Sequence, residues 1–163
     1  MMMIIIMGVS GCGKTTVGKS LSEKINLPFY DADDFHTEAN IEKMKNGHAL
    51  TDDDRKPWLE SLSNHIEKWE LNGGAILACS ALKEKYRAIL SSKIKTINWV
   101  YLSGSFDVIK TRLEQRNQHY MKSTLLTSQF DTLEIPQYGL HIPIEKPVKD
   151  IITTITSKLN LNE

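Results

Sequence analysis

Short apolar runs alternate along the chain with longer segments in which apolar residues recur every three or four positions. The short runs predict buried strands, and the periodic segments predict amphipathic helices. Such alternation is typical of an α/β domain with a parallel sheet, whose ligands bind beyond the carboxyl ends of the strands. Pro143 has no backbone N–H, which places the last strand at an edge of that sheet. We expect strands at residues 1–7, 28–30, 75–79, 97–102 and 140–144.

Capping and breaking residues predict where helices begin and end. Residues 50–52 look like the start of a long helix, which the glycine pair at 73–74 ends. Trp58 and Trp69 lie on the apolar face of that helix, so both are expected in the core. Ser80 is predicted to cap the helix that follows the third strand.

The composition limits the class of protein. The chain has 163 residues, of which 40% are hydrophobic and 25% charged, and this fits one domain spanning residues 1–163. Its 20 basic residues balance its 20 acidic ones, so we expect neither nucleic acid nor a membrane as a partner. The apolar run at 1–7 is too short to cross a bilayer. Two cysteines and no signal-peptide pattern predict a cytoplasmic protein.

Residues 8–15 read GVSGCGKT and match the pattern G-x-x-x-x-G-K-[ST] between a predicted strand and a predicted helix. Glycines let successive backbone N–H groups face a phosphate, and the helix N-terminus adds partial positive charge. Lys14 is expected to bridge the β- and γ-phosphates of ATP, and Thr15 to bind Mg²⁺. The predicted nucleotide-binding residues are Gly8, Ser10, Gly11, Cys12, Gly13, Lys14, Thr15 and Thr16.

Other patterns distinguish between classes of P-loop protein. The sequence has neither the N-K-x-D segment nor the D-x-x-G switch of a regulatory GTPase. An ATPase motor usually has an acidic residue after an apolar strand, whereas residues 75–79 are followed by Ser80. These two observations favour a small-molecule kinase.

Three blocks resemble one family, the gluconokinases: residues 8–11 (GVSG), 40–44 (NIEKM) and 52–59 (DDDRKPWL). Similar segments follow in the same order at 79–83, 86–87, 106–109, 112–113 and 128–130. The resemblance implies a three-layer α/β/α fold like that of nucleoside monophosphate kinases. Its five-stranded parallel sheet would have the order 2-3-1-4-5, with a small helical lid at about 116–136.

The same resemblance implies an activity. A gluconokinase transfers the γ-phosphoryl group of Mg-ATP to the 6-hydroxyl of D-gluconate, in the cytoplasm and often as a homodimer. The phosphate loop by itself identifies the triphosphate and leaves the acceptor undetermined. A kinase of shikimate or a nucleotide is therefore the second hypothesis, and a non-catalytic nucleotide-binding module is the third.

Asp31 and Asp33 are predicted two positions apart on a strand, which would aim both carboxylates at one face. The resemblance implies that Asp33 orients the acceptor hydroxyl, and whether it also deprotonates that hydroxyl stays open. Asp31 is a candidate for holding Mg²⁺ through water. The alternative for the pair is a simple turn cap.

Several cations and polar groups are candidates for binding the acceptor. Lys83 and Arg87 are four positions apart on a predicted helix, where like charges repel unless an anion lies between them. Arg55 offers a fork for the gluconate carboxylate, or alternatively an ion pair with the neighbouring aspartates. Ser80 and His36 are polar candidates, with a surface or loop-capping role as the alternative for His36.

Arg112 and Arg116 are also four positions apart and lead into the polar stretch at 116–122. A closing lid could bring both onto the transferring phosphoryl group, which would make them catalytic together with Lys14 and Asp33. The alternative is a pair of solvated helix arginines.

Overall fold

The computed structural model describes residues 2–115 and 123–161, except for the side chains of residues 123 and 124. Its centre is a five-stranded sheet in the order β2-β3-β1-β4-β5, and all neighbouring strands are parallel. The predicted order is confirmed, and Pro143 lies in an edge strand as expected. The strands are β1 (Met2–Met7), β2 (Phe29–Asp31), β3 (Gly74–Ala78), β4 (Asn98–Ser103) and β5 (Leu140–Pro143).

Helices cover both faces of the sheet, which confirms the three-layer fold. They are α1 (Lys14–Ile25), α2 (Glu38–Lys45), α3 (Asp52–Leu71), α4 (Glu84–Leu90), α5 (Phe106–Glu114), α6 (Ser123–Thr132) and α7 (Val148–Lys158). Helix α1 packs against α7, and α3 packs against α4. Within residues 2–115 and 123–161, no helix combines the length and the apolar character needed to span a lipid bilayer.

The central strand explains where the site can form. Ile4, Ile5 and Ile6 of β1 are each 0% exposed, because a strand with a neighbour on each side and helices on both faces has no access to water. Such a strand does not accommodate polar side chains along its length. Functional polar groups are therefore expected beyond the strand ends.

Helix α3 begins as predicted and has a capping box. The Thr51 hydroxyl accepts from the backbone N–H of Asp54, and the Asp54 carboxylate accepts from the backbone N–H of Thr51. Trp58 and Trp69 lie on its buried face, at 6% and 9% exposure. This start is well anchored, and it fixes the position of Arg55 in the first turn.

The second strand does not extend to Asp33 as predicted. It ends at Asp31, whose side chain caps the 3₁₀ turn Ala32–Phe35 by accepting from the backbone N–H of Asp33. Asp33 therefore belongs to the turn and not to the strand. The prediction that both carboxylates project from one face of a strand was wrong.

The helix after the third strand also begins later than predicted. Helix α4 starts at Glu84, and its N-cap residue is Lys83 rather than Ser80. Ala81 has a φ of 46°, in the left-handed region, so the chain cannot be helical there. Residues 80–83 instead form an irregular segment at the carboxyl end of β3.

Candidate active site

Residues 8–13 form the loop between the carboxyl end of β1 and the first turn of α1. Gly8, Gly11 and Gly13 have φ values of 145°, 83° and 99°, which L side chains rarely adopt. At Gly8 a Cβ would also lie 2.9 Å from the carbonyl oxygen of Leu102. The loop has the backbone shape that presents N–H groups to an anion at a helix N-terminus.

Lys14 folds back over this loop. Its Nζ donates to the carbonyl oxygens of Gly8 and Val9, both at 3.0 Å. These neutral acceptors hold the ammonium at the loop and can be exchanged for phosphate oxygens, which bind a cation more strongly. The predicted contact of Lys14 with the β- and γ-phosphates stays a prediction with a suitable starting geometry.

A hydroxyl and a carboxylate meet beside the loop. Thr15 Oγ1 donates to Asp31 Oδ2 at 3.0 Å. Hard oxygen donors of this kind suit Mg²⁺, which keeps several water ligands and shares phosphate oxygens. Within the described ranges, no cluster of three or more His, Cys, Asp or Glu side chains could hold a metal by itself. The donors present fit an ion shared with a bound phosphate better than an all-protein cage.

We call the residues predicted to bind the acceptor, Asp33, His36, Arg55 and Ser80, the acceptor side of the site. The Asp33 side chain is 78% exposed. His36 Nε2 is 3.6 Å from Asp33 Oδ1, and the His36 ring stacks on Trp58 with 4.0 Å between centroids. The His36 ring, and after it the charge of Lys14, hold the pKa of Asp33 below its ordinary value despite partial desolvation. Asp33 is therefore a carboxylate at neutral pH and can accept a hydrogen bond from a hydroxyl.

A cavity of about 490 Å³ connects these groups. It is large enough for a six-carbon polyol acid, since small-molecule sites generally have volumes of roughly 300–1,000 Å³. The predicted site residues that line it are Ser10, Asp33, His36, Arg55 and Ser80. The structure therefore brings together one residue of the phosphate loop and four residues predicted to bind the acceptor, which come from three segments of the chain.

Arg55 lies at the wall of this cavity. Its Nη1 donates to the Leu50 carbonyl oxygen at 2.7 Å and to the Tyr86 hydroxyl at 3.1 Å. The alternative of an ion pair with neighbouring aspartates is not observed, because within the described residues Asp52 and Asp54 pair with lysines. Arg55 is thus held by neutral groups and keeps its charge available to the cavity.

The prediction that Lys83 and Arg87 hold an anion between them was wrong. Arg87 is 2% exposed, and all three of its side-chain nitrogens donate to protein groups. The Nζ of Lys83 lies 3.2 Å from Asp52 Oδ1. Neither cation lines the cavity. The partners of Arg87 are the carbonyl oxygens of Ala81 and Glu134, the Tyr138 hydroxyl and the Glu84 carboxylate.

Arg112 lies on the other side of the phosphate loop. Its Nη2 donates to the carbonyl oxygen of Ile144 at 2.7 Å, and it lines a second cavity, of about 530 Å³, together with Cys12 and Thr16. In this structure Ile144, which follows β5, holds the arginine on that side. The predicted position over the transferring phosphoryl group depends on closure of a lid, and it stays a prediction. Arg116 lies outside the described residues.

Sequence reasoning missed the contact between α6 and the phosphate loop. The backbone N–H of Ser10 donates to Gln129 Oε1 at 2.7 Å, and Gln129 Nε2 donates to Ser10 Oγ at 3.0 Å. Gln129 lies within a block that resembles the gluconokinases, and this was the one signal in the sequence that could have suggested it. It also missed Tyr86 and His48, which line the cavity. Tyr86 lies in the segment at 86–87 that resembles the gluconokinases, whereas His48 lies in none of these segments.

A parallel sheet in this order, a phosphate loop after β1 and a helix docked onto that loop define a P-loop kinase of small molecules. The sequence model of the shikimate kinase family matches residues 10–138. The gluconokinase of Arabidopsis thaliana is 44% identical, over 96% of this chain and 94% of that protein. The thermoresistant gluconokinase of Escherichia coli strain K12 is 37% identical, over 92% and 89%.

A solved structure gives the same result. The crystal structure of a gluconokinase from Sinorhizobium meliloti 1021 matches with a TM-score of 0.86 and 34% identity, over 98% of this chain and 95% of that one. The chain belongs to the gluconokinase family, within the wider shikimate-kinase-like group. This confirms the family indicated by residues 40–44 and 52–59.

Proposed function

We propose that this protein transfers the γ-phosphoryl group of ATP to the 6-hydroxyl of D-gluconate, giving 6-phospho-D-gluconate and ADP. Its relatives named gluconokinase support this activity. The structural observation that carries it is the cavity bordered both by Ser10 of the phosphate loop and by Asp33 and Arg55 of the acceptor side. Donor and acceptor can meet in this one space, as an in-line transfer requires.

On the acceptor side, Asp33 accepts a hydrogen bond from the 6-hydroxyl and turns the oxygen lone pair toward the γ-phosphorus. The lowered pKa of Asp33 favours the carboxylate form that this contact needs. As the new O–P bond forms and the bond to ADP breaks, the hydroxyl proton passes to Asp33. Orientation is the larger contribution, because the transition state of phosphoryl transfer is loose. His36 and Ser80 contact other hydroxyls of the sugar acid.

Arg55 binds the carboxylate of gluconate. A guanidinium can donate two parallel hydrogen bonds to a carboxylate, which fixes the orientation of the sugar acid as well as its charge. Arg55 lines the cavity with Asp33, so the carboxylate end and the reacting hydroxyl end of one linear molecule are held by different residues. Neutral sugars would lack the first of these contacts.

On the nucleotide side, the backbone of residues 8–13 binds the phosphates and Lys14 bridges the β- and γ-phosphates. The cavity lined by Arg112, Cys12 and Thr16 holds the nucleoside end of ATP. Arg116 keeps its proposed role as a lid cation over the transferring phosphoryl group.

A magnesium ion would be held by Thr15 directly and by Asp31 through water. Bound there, it would neutralise charge on the β- and γ-phosphates as that charge develops. The 3.0 Å contact between Thr15 and Asp31 supports this assignment because both oxygens already face one another.

We further propose that the protein is a cytoplasmic homodimer that binds neither nucleic acid nor membrane. The family resemblance supports the dimer, and the balance of 20 basic against 20 acidic residues supports the absence of a polyanionic partner. Light scattering at several protein concentrations measures the assembly, and a concentration-independent monomer would contradict it.

The decisive experiment measures ADP formation from Mg-ATP with gluconate, with shikimate, with nucleoside monophosphates and without acceptor. Gluconate-dependent turnover is expected, and Lys14→Ala should lower it by roughly 10²-fold or more, since it removes a preorganised charge from the transferring group. Lys19→Ala, in the same helix and exposed, is the matched control and should resemble the wild type. Turnover with shikimate or a nucleotide instead would support a kinase activity and contradict gluconate as the acceptor.

A further inference from the structure

Three side chains from two helices form a hydrogen-bonded chain at the wall of the cavity, and we name them the Arg55 cluster: Arg55, Tyr86 and Asp52. Arg55 Nη1 donates to the Tyr86 hydroxyl at 3.1 Å, and that hydroxyl donates to Asp52 Oδ1. The Arg55 guanidinium also lies over the Tyr86 ring, 5.2 Å from its centroid. Tyr86, the middle member of the chain, is 3% exposed.

The direction of this chain is fixed by its donors. A tyrosine hydroxyl has one proton, and once Asp52 accepts it the oxygen lone pairs face Arg55. Hydrogen bonds from Lys85 and Tyr86 hold the pKa of Asp52 well below its ordinary value. Burial, and after it the hydrogen bond to Asp52, raise the pKa of Tyr86 to about 12. The same protonation states therefore persist across neutral pH, and the chain has only one orientation.

The chain uses only part of the arginine. Arg55 Nη1 is shared between the Tyr86 hydroxyl and the Leu50 carbonyl oxygen. Within residues 2–115 and 123–161, Nε and Nη2 have no hydrogen-bond partner, and the residue lines the cavity. Two acceptors on one nitrogen fix the plane of the guanidinium and leave its other donors for a ligand.

We propose that Tyr86 and Asp52 are positioning residues that select acceptors with a carboxylate, by holding the Arg55 fork toward the cavity. This inference rests on the proposed function, because the carboxylate is that of the sugar acid. Asp52 orients the Tyr86 hydroxyl by accepting its proton in a hydrogen bond, and the Tyr86 oxygen orients Arg55 by accepting from Nη1. Neither has to touch the acceptor carboxylate for selection to depend on it.

A second set of residues in the same protein provides a matched control, the Arg87 cluster: Arg87, Tyr138 and Glu84. Arg87 Nε donates to the Tyr138 hydroxyl at 2.9 Å, which donates to Glu84 Oε2 at 2.7 Å. The chemistry is the same, but Arg87 and Tyr138 do not line the cavity. Removal of the Tyr138 hydroxyl should not change the choice of acceptor.

The experiment compares gluconate with D-gluconamide, its neutral amide, in wild type, Tyr86→Phe and Tyr138→Phe. Tyr86→Phe keeps the ring under Arg55 and loses only the hydroxyl. We expect the KM for gluconate to rise about tenfold, the size of one charge-assisted hydrogen bond. We expect kcat and the KM for ATP to change less than about twofold, since a uniform binding contact is lost. The preference for gluconate over gluconamide should fall by a similar factor, and Tyr138→Phe should keep it.

Asp52→Asn provides a second variant if Tyr86→Phe folds poorly, with Asp53→Asn in the same helical turn as its control. Asp52→Asn should reduce the same preference, and Asp53→Asn should not. An unchanged preference in a folded Tyr86→Phe or Asp52→Asn protein, with normal wild-type turnover of gluconate, overturns this inference alone. A wild type that does not phosphorylate gluconate overturns the proposed function and this inference with it.

Discussion

Arg55 and Arg87 each donate to a tyrosine hydroxyl whose proton goes to a carboxylate, so two regions of one molecule contain the same chemistry. They differ in how many guanidinium donors the protein itself satisfies. Arg87 donates through all three nitrogens and is 2% exposed. Arg55 borders the cavity, and among the described residues only Nη1 of its guanidinium has hydrogen-bond partners. Residue type and nearest partner are therefore not enough to assign a role to an arginine. The role depends on how many guanidinium donors remain available for a ligand.

The largest expected effect comes from Arg55→Met. The substitution keeps an apolar stem of similar length and removes the cation that faces the cavity. The kcat/KM for gluconate should fall by roughly 10²- to 10³-fold, the usual cost of truncating one partner of a desolvated charge pair. The free energy of unfolding should change by less than about 1 kcal/mol, because the lost protein contacts are few. Steady-state kinetics and urea unfolding measure both, and normal kinetics in a folded variant would contradict the comparison.

Arg87→Met should show the opposite pattern. It leaves the carbonyl oxygens of Ala81 and Glu134 and the Glu84 carboxylate without their buried partner. We expect the free energy of unfolding to fall by roughly 2–5 kcal/mol, the cost of leaving these buried acceptors unsatisfied. The kcat/KM for gluconate in the folded fraction should fall far less than in Arg55→Met. The control is Lys93→Met, an exposed cation elsewhere. A stable Arg87→Met protein with lost gluconate turnover would restore the role predicted from sequence.

The smallest expected effect concerns the two carboxylates. Hydrogen bonds from Lys85 and Tyr86 lower the pKa of Asp52, and those from Tyr138 and Arg87 lower the pKa of Glu84. Such a group stabilises the fold above its unfolded pKa, and this contribution is lost as pH falls through the folded pKa. The urea concentration at the midpoint of unfolding should therefore decrease as the pH is lowered from about 6 to about 3.

That fall should be less steep in Asp52→Asn and, by a smaller amount, in Glu84→Gln. Both carboxylates are partly exposed, at 40% and 59%, so solvent screening keeps the change small. Asp53→Asn should retain the wild-type slope. An equal slope in Asp52→Asn and Asp53→Asn would show that the Asp52 contacts add no stability.

The phosphate side of the site was predictable because its residues are contiguous. Residues 8–15 bring their own glycines, lysine and hydroxyl, and the fold adds only the strand before them and the helix after them. The strand order followed from the family resemblance, and the apolar run at 75–79 was enough to place β3 in the interior. Local pattern and long-range structure agree in this half of the molecule.

The acceptor side was less predictable because its geometry depends on two short breaks. The 3₁₀ turn after Asp31 moves Asp33 off the strand, and the left-handed Ala81 delays α4 until Glu84. Neither break contains a glycine or proline, the residues from which such breaks are usually predicted. Helical spacing suggested an anion between Lys83 and Arg87, but burial is a property of the tertiary fold, and it assigned Arg87 to the interior.

The two edges of the sheet have a consequence for how copies of this protein can meet. β2 has three residues, and β5 has four, the last of which is Pro143. A strand from another copy would gain few backbone hydrogen bonds at either edge, and none from the nitrogen of Pro143. The proposed homodimer should therefore join through helical faces. For the same reason, the short edge strands are poor templates for the intermolecular strand stacking that forms amyloid fibrils.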